Sequence, residues 1–147
     1  MKRIICIGNP YIIQDSGGSK VYERLKQNIL PDGIELIHGG LAGLGLLKFI
    51  EDADRVIFID QVCGFSDAKE VILINASEIA SMSEDRYGHS SGLPYLLKTL
   101  PYICEGKIPD IFVVGIQNAL SVQAIDEAAF LALKILTQET CDKDSIV

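Results

Sequence analysis

Short apolar runs alternate with amphipathic stretches along most of the chain. Arg3-Ile4-Ile5-Cys6-Ile7 breaks off at Gly8-Asn9-Pro10, which predicts a buried strand delivering a polar loop, Gln14-Asp15-Ser16-Gly17-Gly18, to the end of a sheet. From Ser19 to Leu30, Val21, Tyr22, Leu25 and Ile29 share one face and Lys20, Glu23, Arg24 and Lys26 lie elsewhere, the spacing of an amphipathic helix that Pro31-Asp32-Gly33 stops. Ile34-Glu35-Leu36-Ile37-His38 is a second strand closed by Gly39-Gly40, and Ala42 to Ile50 is a helical segment apolar on nearly every side. The Leu41–Ile50 stretch either packs in the core, the favoured arrangement, or leaves an apolar strip beside the strand-end loops on which a partner docks.

Arg55-Val56-Ile57-Phe58-Ile59-Asp60 repeats the opening logic, because an apolar run again ends on a carboxylate and enters a loop with Gly64 and Ser66. Lys69 to Ile74 follows too soon for a crossover helix, so it is an antiparallel strand at an edge. Asn75-Ala76-Ser77-Glu78 has the form of a capping box opening a short helix. A polar, irregular stretch from Ser81 to Gly92 carries His89 to the entrance of the next helix, Leu93 to Leu100. Asp110 to Gly115 is the last strand, and Ser121 caps a long helix on which Ile125, Ala129, Ala132 and Ile135 fall at helical spacing; the tail from Gln138 onward frays. Strands alternating with helices predict one domain, residues 1–147, built as a three-layer α/β/α sandwich. Its sheet is five-stranded and mostly parallel, with one antiparallel edge strand.

Composition narrows the function classes. The 147 residues are 48% hydrophobic, enough for a core without disulfide or metal staples. A net charge of -7, with 13 scattered basic residues, argues against nucleic acid or an anionic membrane as partner. Cys6, Cys63, Cys104 and Cys141 form no C-x-x-C pair, so neither a zinc knuckle nor a disulfide framework is indicated, and Cys6 belongs to the core. The first apolar stretch ends at Gly8, too short for a signal peptide, and no long apolar run follows; the chain is expected to be cytoplasmic and monomeric when free.

Nucleotide motifs are missing. Gly8-Asn9-Pro10 is neither G-x-G-x-x-G nor a phosphate loop, and Gly39-Gly40-Leu41-Ala42-Gly43-Leu44-Gly45 has its glycines at other offsets, which makes a flavodoxin-like nucleotide binder a poor fit. A G-x-S-x-G elbow is also absent. What remains is Asp15 and Asp60 at strand ends with His89 on a loop. Singly these read as a helix cap, a turn former and a surface residue. Jointly, two oxygens and one nitrogen on one sheet edge suit a borderline divalent metal such as nickel or zinc.

On these residues the chain resembles the hydrogenase maturation proteases, endopeptidases that remove a C-terminal extension from the large subunit of nickel–iron hydrogenases after nickel insertion. The likeness runs from Ile4 to about Leu136. It rests on Ile7-Gly8-Asn9-Pro10 with Asp15 and Gly18, on Gly39-Gly40, on Ile59-Asp60, on Gly88-His89 ahead of Leu93-Pro94, and on Val114-Gly115-Ile116-Gln117. The resemblance implies that Asp15, Asp60 and His89 bind the metal and are the catalytic residues. It further implies a hydrogenase large-subunit precursor as partner and nickel as the metal, supplied by the protein or by the substrate, with zinc or cadmium able to take its place in a crystal. Three positions depart from the family pattern. Gln14 stands where an acid is usual before the first ligand, His38 where an acid is usual before the double glycine, and Asn118 where a proline is common. His38 is expected to support or cap its surroundings more than to ligate. Gln14 keeps a second reading open, a non-catalytic metal-binding chaperone of the same precursor.

Overall fold

In a computed structural model the described residues are 1–41, 43–87, 92–118 and 121–138. Five strands form one sheet in the order β2-β1-β3-β5-β4. They are β1 (Lys2–Ile7), β2 (Ile34–Gly40), β3 (Arg55–Gln61), β4 (Val71–Asn75) and β5 (Asp110–Ile116). Parallel pairing joins β1 to β2 and β3, and β3 to β5; only β4 runs antiparallel, on the edge beside β5. The three-layer α/β/α arrangement and its antiparallel edge strand are thus as the residue pattern predicts.

The helices are α1 (Gly17–Lys26), α2 (Leu47–Ile50), α3 (Ala76–Ala80), α4 (Glu84–Tyr87), α5 (Leu93–Ile103) and α6 (Val122–Thr137). Side-chain alternation along the central strands feeds two separate cores. Ile4, Cys6, Ile57, Ile59 and Val114 face Val21 and Leu25 of α1 and the alanine stripe Ala124, Ala128 and Ala132 of α6. Ile5, Ile7, Phe58 and Val113 face Ile50, Ile79, Tyr87, Leu93, Leu96 and Leu100 on the other side. Strands covered on both faces read as continuous apolar runs, which is why β3 is buried from Arg55 through Asp60. Burial also pushes the Cys6 thiol well above its ordinary range, as suits a core residue.

Several element boundaries differ from expectation, and Glu84–Tyr87, inside the stretch read as irregular, forms the helical turn α4. α1 ends at Lys26, short of the predicted Leu30, and leaves Ile29 fully exposed. The Ala42–Ile50 helix is reduced to a 3-10 turn, Leu44–Leu46, and the single turn of α2, since Gly43 and Gly45 make a longer helix costly. Within it Leu46 and Ile50 are buried while Leu41 and Leu44 are exposed, so the segment is part core and part surface. The edge strand begins at Val71 instead of Lys69.

Two buried arginines brace the amino edge of the sheet. The Arg3 guanidinium bonds Asp52, Glu35 and the Phe49 carbonyl, and that of Arg55 bonds the Ile135 and Gln138 carbonyls at the end of α6. Among the described residues no helix is long and apolar enough to cross a membrane.

Candidate active site

The carboxyl edge between β1 and β3 is where the chain changes direction in the sheet. From β1 it passes to β2 on one side, then returns to β3 on the other. Open α/β sheets present ligands with a crevice at such a point, and both aspartates of the sequence pattern lie there.

Asp15 is set by the turn that leaves β1. Gly8 has φ +128, and a Cβ there would stand 2.3 Å from the Asp15 carbonyl oxygen, so only glycine lets the loop fold back this closely. Oδ2 of Asp15 accepts the Asn9 N–H at 2.9 Å, and Oδ1 of Asn9 accepts the Tyr11 N–H at 2.9 Å, an Asx turn that shapes the loop. Asp15 closes the 3-10 turn Ile13–Asp15 and is buried. It is not the N-cap of α1: that position is Ser16, which makes no side-chain cap bond. The capping reading of Asp15 is therefore replaced by a loop-folding hydrogen bond.

Asp60 sits on β3 one residue past Ile59, the partner of Cys6 in β1. Its side chain is completely buried. Oδ1 accepts the Gln61 N–H at 2.9 Å, and Oδ2 accepts the Tyr87 hydroxyl at 2.8 Å. Two contacts tie the elements that bear the aspartates. Gly18 packs its backbone on β1 and β3, where a Cβ would meet the Ile7 carbonyl oxygen at 2.1 Å and that of Ile59 at 2.9 Å. Oε1 of Gln61 accepts the Gly17 N–H at 3.0 Å, joining the end of β3 to the start of α1. An ionised carboxylate offers about four lone-pair sites, enough for these hydrogen bonds and a cation together, so the two acids fit a hard or borderline divalent ion.

His89 lies outside the described residues, as does Ser90 after it; in sequence it is two positions beyond Tyr87 and three before Gly92. Among the described residues no three His, Cys, Asp or Glu side chains gather as a ligand set. His38 is exposed and engaged by α1: Nε2 lies 3.1 Å from Ser19 Oγ, and the ring meets Tyr22 edge-on at 5.0 Å. Cys63 is exposed on the loop after Asp60. That loop is held by Gln117, whose Oε1 accepts the Phe65 and Ser66 N–H groups while Nε2 donates to the Ser66 and Lys69 carbonyls. An open cavity of about 390 Å³ lies beside it.

Sequence reasoning missed Tyr87 and Gln61 as partners in this arrangement. Gln61 gave no signal beyond its place after Asp60. Tyr87 did give one, as the only aromatic in the polar stretch from Ser81 to Gly92.

Residues 19–126 match the HycI family of hydrogenase maturation proteases. The chain belongs to that family. Asp60 and His89 lie within the matched stretch, and Asp15 just before it. The chain is similar to the hydrogenase 2 maturation protease of Escherichia coli K12, with 27% identity over 137 residues, 86% of this chain and 84% of that protein. Its fold is like that of the hydrogenase maturating endopeptidase HybD from E. coli, with TM-score 0.75 and 23% identity over 92% of this chain and 91% of that one. HybD from Thermococcus kodakarensis shares the fold at TM-score 0.70 and 22% identity, over 92% and 99%. As a member of the maturation protease family the chain is a peptidase.

Proposed function

We propose that this protein cuts the C-terminal extension from a nickel–iron hydrogenase large-subunit precursor after nickel insertion, at a site made by Asp15, Asp60 and His89. The observation that supports this most is the placing of two buried carboxylates at the carboxyl ends of the adjacent strands β1 and β3, in a chain of the maturation protease family. The two aspartates and the imidazole of His89 would hold a divalent ion, nickel carried in by the precursor or bound beforehand. When bound, the ion supplies Lewis acidity toward the scissile carbonyl or toward water.

The chain's own contribution is position. The Asn9 N–H orients Asp15, and the Tyr87 hydroxyl and Gln61 N–H fix both oxygens of Asp60. Groups held in this way need little rearrangement when the peptide arrives. If nickel marks the substrate, a loaded precursor is cut and an unloaded one is left intact, which couples processing to metal insertion. Asparagine in place of either aspartate keeps the volume and an oxygen that accepts a hydrogen bond, so such changes leave the fold largely intact.

The test is incubation of purified precursor, with and without nickel, and mass measurement of the released fragment. Wild type releases it from the nickel-loaded form. Asp15→Asn, Asp60→Asn and His89→Ala each abolish release, and Cys63→Ser does not. Full cleavage by the Asp15→Asn, Asp60→Asn double variant removes the assignment. Metal-dependent binding without cleavage by wild type points to the chaperone reading.

A further inference from the structure

Large apolar side chains are exposed on two loops at the same edge as the aspartates. Tyr11 is 93% exposed, Ile12 47% and Ile13 65% on the loop after β1, and Leu41 is 56% and Leu44 50% exposed on the loop after β2. The loops part from a common point, because the Gly8 N–H donates to the Gly40 carbonyl at 2.9 Å. The first loop adjoins the first aspartate directly, since Ile13 belongs to the same 3-10 turn as Asp15. The second loop also approaches α5, with Gly43 Cα 3.5 Å from where a Gly92 Cβ would stand.

Charge separates this rim from the rest of the surface. From Gly8 to Gln14, and again from Gly39 to Leu47, there is no charged side chain, in a chain with 13 basic and 20 acidic residues. A surface of this kind loses little on desolvation and offers no ionic partner, so it selects an uncharged, apolar occupant. The rim adjoins Asp15, so a peptide that reaches this carboxylate lies beside it.

We propose that Tyr11, Ile12, Ile13, Leu41 and Leu44 form the substrate-docking rim of the enzyme, which seats an uncharged, apolar segment of the precursor next to the scissile bond. The assignment rests on the protease reading above and adds the class of sequence that is recognised. Affinity then comes from apolar contact and not from charge pairing, which makes binding nearly indifferent to salt.

Two double variants test the rim, Tyr11→Ser with Ile12→Ser and Leu41→Ser with Leu44→Ser. Their exposure predicts an unchanged denaturation midpoint, checked before the assay. Cleavage of nickel-loaded precursor is followed in single turnover at increasing enzyme concentration. The half-saturating concentration rises about tenfold or more in each variant while the maximal rate stays within about twofold. For wild type it is flat from about 0.05 to 0.5 M salt. An unchanged half-saturation in both variants, or a steep salt dependence in wild type, overturns the rim. So does a rim-dependent dimer of the free protein in light scattering, which assigns the surface to a second copy of the chain. If wild type fails to cut, the protease reading falls on its own, and calorimetric titration of the same precursor into the same variants still decides whether the rim binds it.

Discussion

The Tyr87 hydroxyl donates to Oδ2 of Asp60 at 2.8 Å, and neither residue has any exposed surface. The bond joins α4 to the end of β3 and helps anchor the second aspartate. Tyr87→Phe keeps the ring in the core and removes only that donor. We expect a stability loss of about 1 kcal/mol in urea denaturation, the typical worth of one hydrogen bond. Cleavage at saturating enzyme should fall about 10–100-fold with half-saturation unchanged, the size of effect seen when a group supporting a ligand is removed. An unchanged maximal rate would mean that Asp60 needs no such support.

Gly18 illustrates a helix position where alanine is the wrong improvement. Alanine in place of a helical glycine ordinarily gains about 0.5–1 kcal/mol. Here the added Cβ would stand 2.1 Å from the Ile7 carbonyl oxygen and 2.9 Å from that of Ile59, both backbone atoms that cannot rotate away. Gly18→Ala should therefore destabilise by about 1–3 kcal/mol, the cost of overpacking. It should also slow cleavage, because α1 follows directly on Asp15. A rise in the urea midpoint would contradict the close packing of α1 on β1 and β3.

The amino edge governs behaviour in acid. Asp52 is held below its ordinary value of 3.8 by its hydrogen bond to Arg3, and Asp54 by its hydrogen bond to the terminal amine. A carboxylate with a depressed folded value stabilises the protein above its ordinary value and loses that contribution as pH falls through the folded one. The Asp52→Asn, Asp54→Asn double variant should accordingly show a smaller difference in urea midpoint between about pH 6 and pH 3 than wild type. Both side chains are exposed, so high salt should shrink the difference in wild type as well. A difference of equal size in the two proteins would place the acid sensitivity elsewhere.

The sheet was legible in the sequence because its central strands are buried on both faces. Ile4 to Ile7 and Val56 to Ile59 leave no polar position before the chain reaches Gly8 and Asp60, and such runs have few other uses. The short spacing after Asp60 likewise announced the antiparallel edge of Val71–Asn75. Helix ends were less readable. Ile29 has the spacing of α1's apolar face, yet the helix ends at Lys26 and leaves it in solvent. Pattern alone could not sort Leu41 to Ile50, because buried and exposed leucines look identical there, and glycine chain-breaking decided the outcome. Asp15 and Asp60 were legible as carboxylates closing strands. Gln61 and Tyr87 were not, since a hydrogen bond between distant elements leaves no local trace.

Arg55 offers a separation of folding from chemistry. Its guanidinium is buried at the amino edge, opposite the aspartates. Nη1 donates to the Ile135 carbonyl at 2.6 Å and to that of Gln138 at 3.2 Å, Nη2 lies 3.6 Å from Asp110 Oδ2, and Cζ is 5.7 Å from the Phe112 ring centroid. It thus serves as the C-terminal cap of α6, a place where the helix dipole favours positive charge. Arg55→Met keeps most of the volume but leaves the carbonyls without their donor. Asp110 is half exposed and regains water when the guanidinium goes, so no charge is stranded in the core. The expected cost is about 2–3 kcal/mol, within the range for losing a hydrogen bond made by a charged group. Because the change is confined to the far edge, the folded fraction should cut the precursor at the wild-type maximal rate, with the same half-saturation. The check pairs urea denaturation with single-turnover cleavage at a temperature where the variant is folded. Reduced cleavage by a fully folded Arg55→Met protein would show that the two edges of the sheet are coupled, and that the position of Asp60 depends on how β3 is anchored at its start.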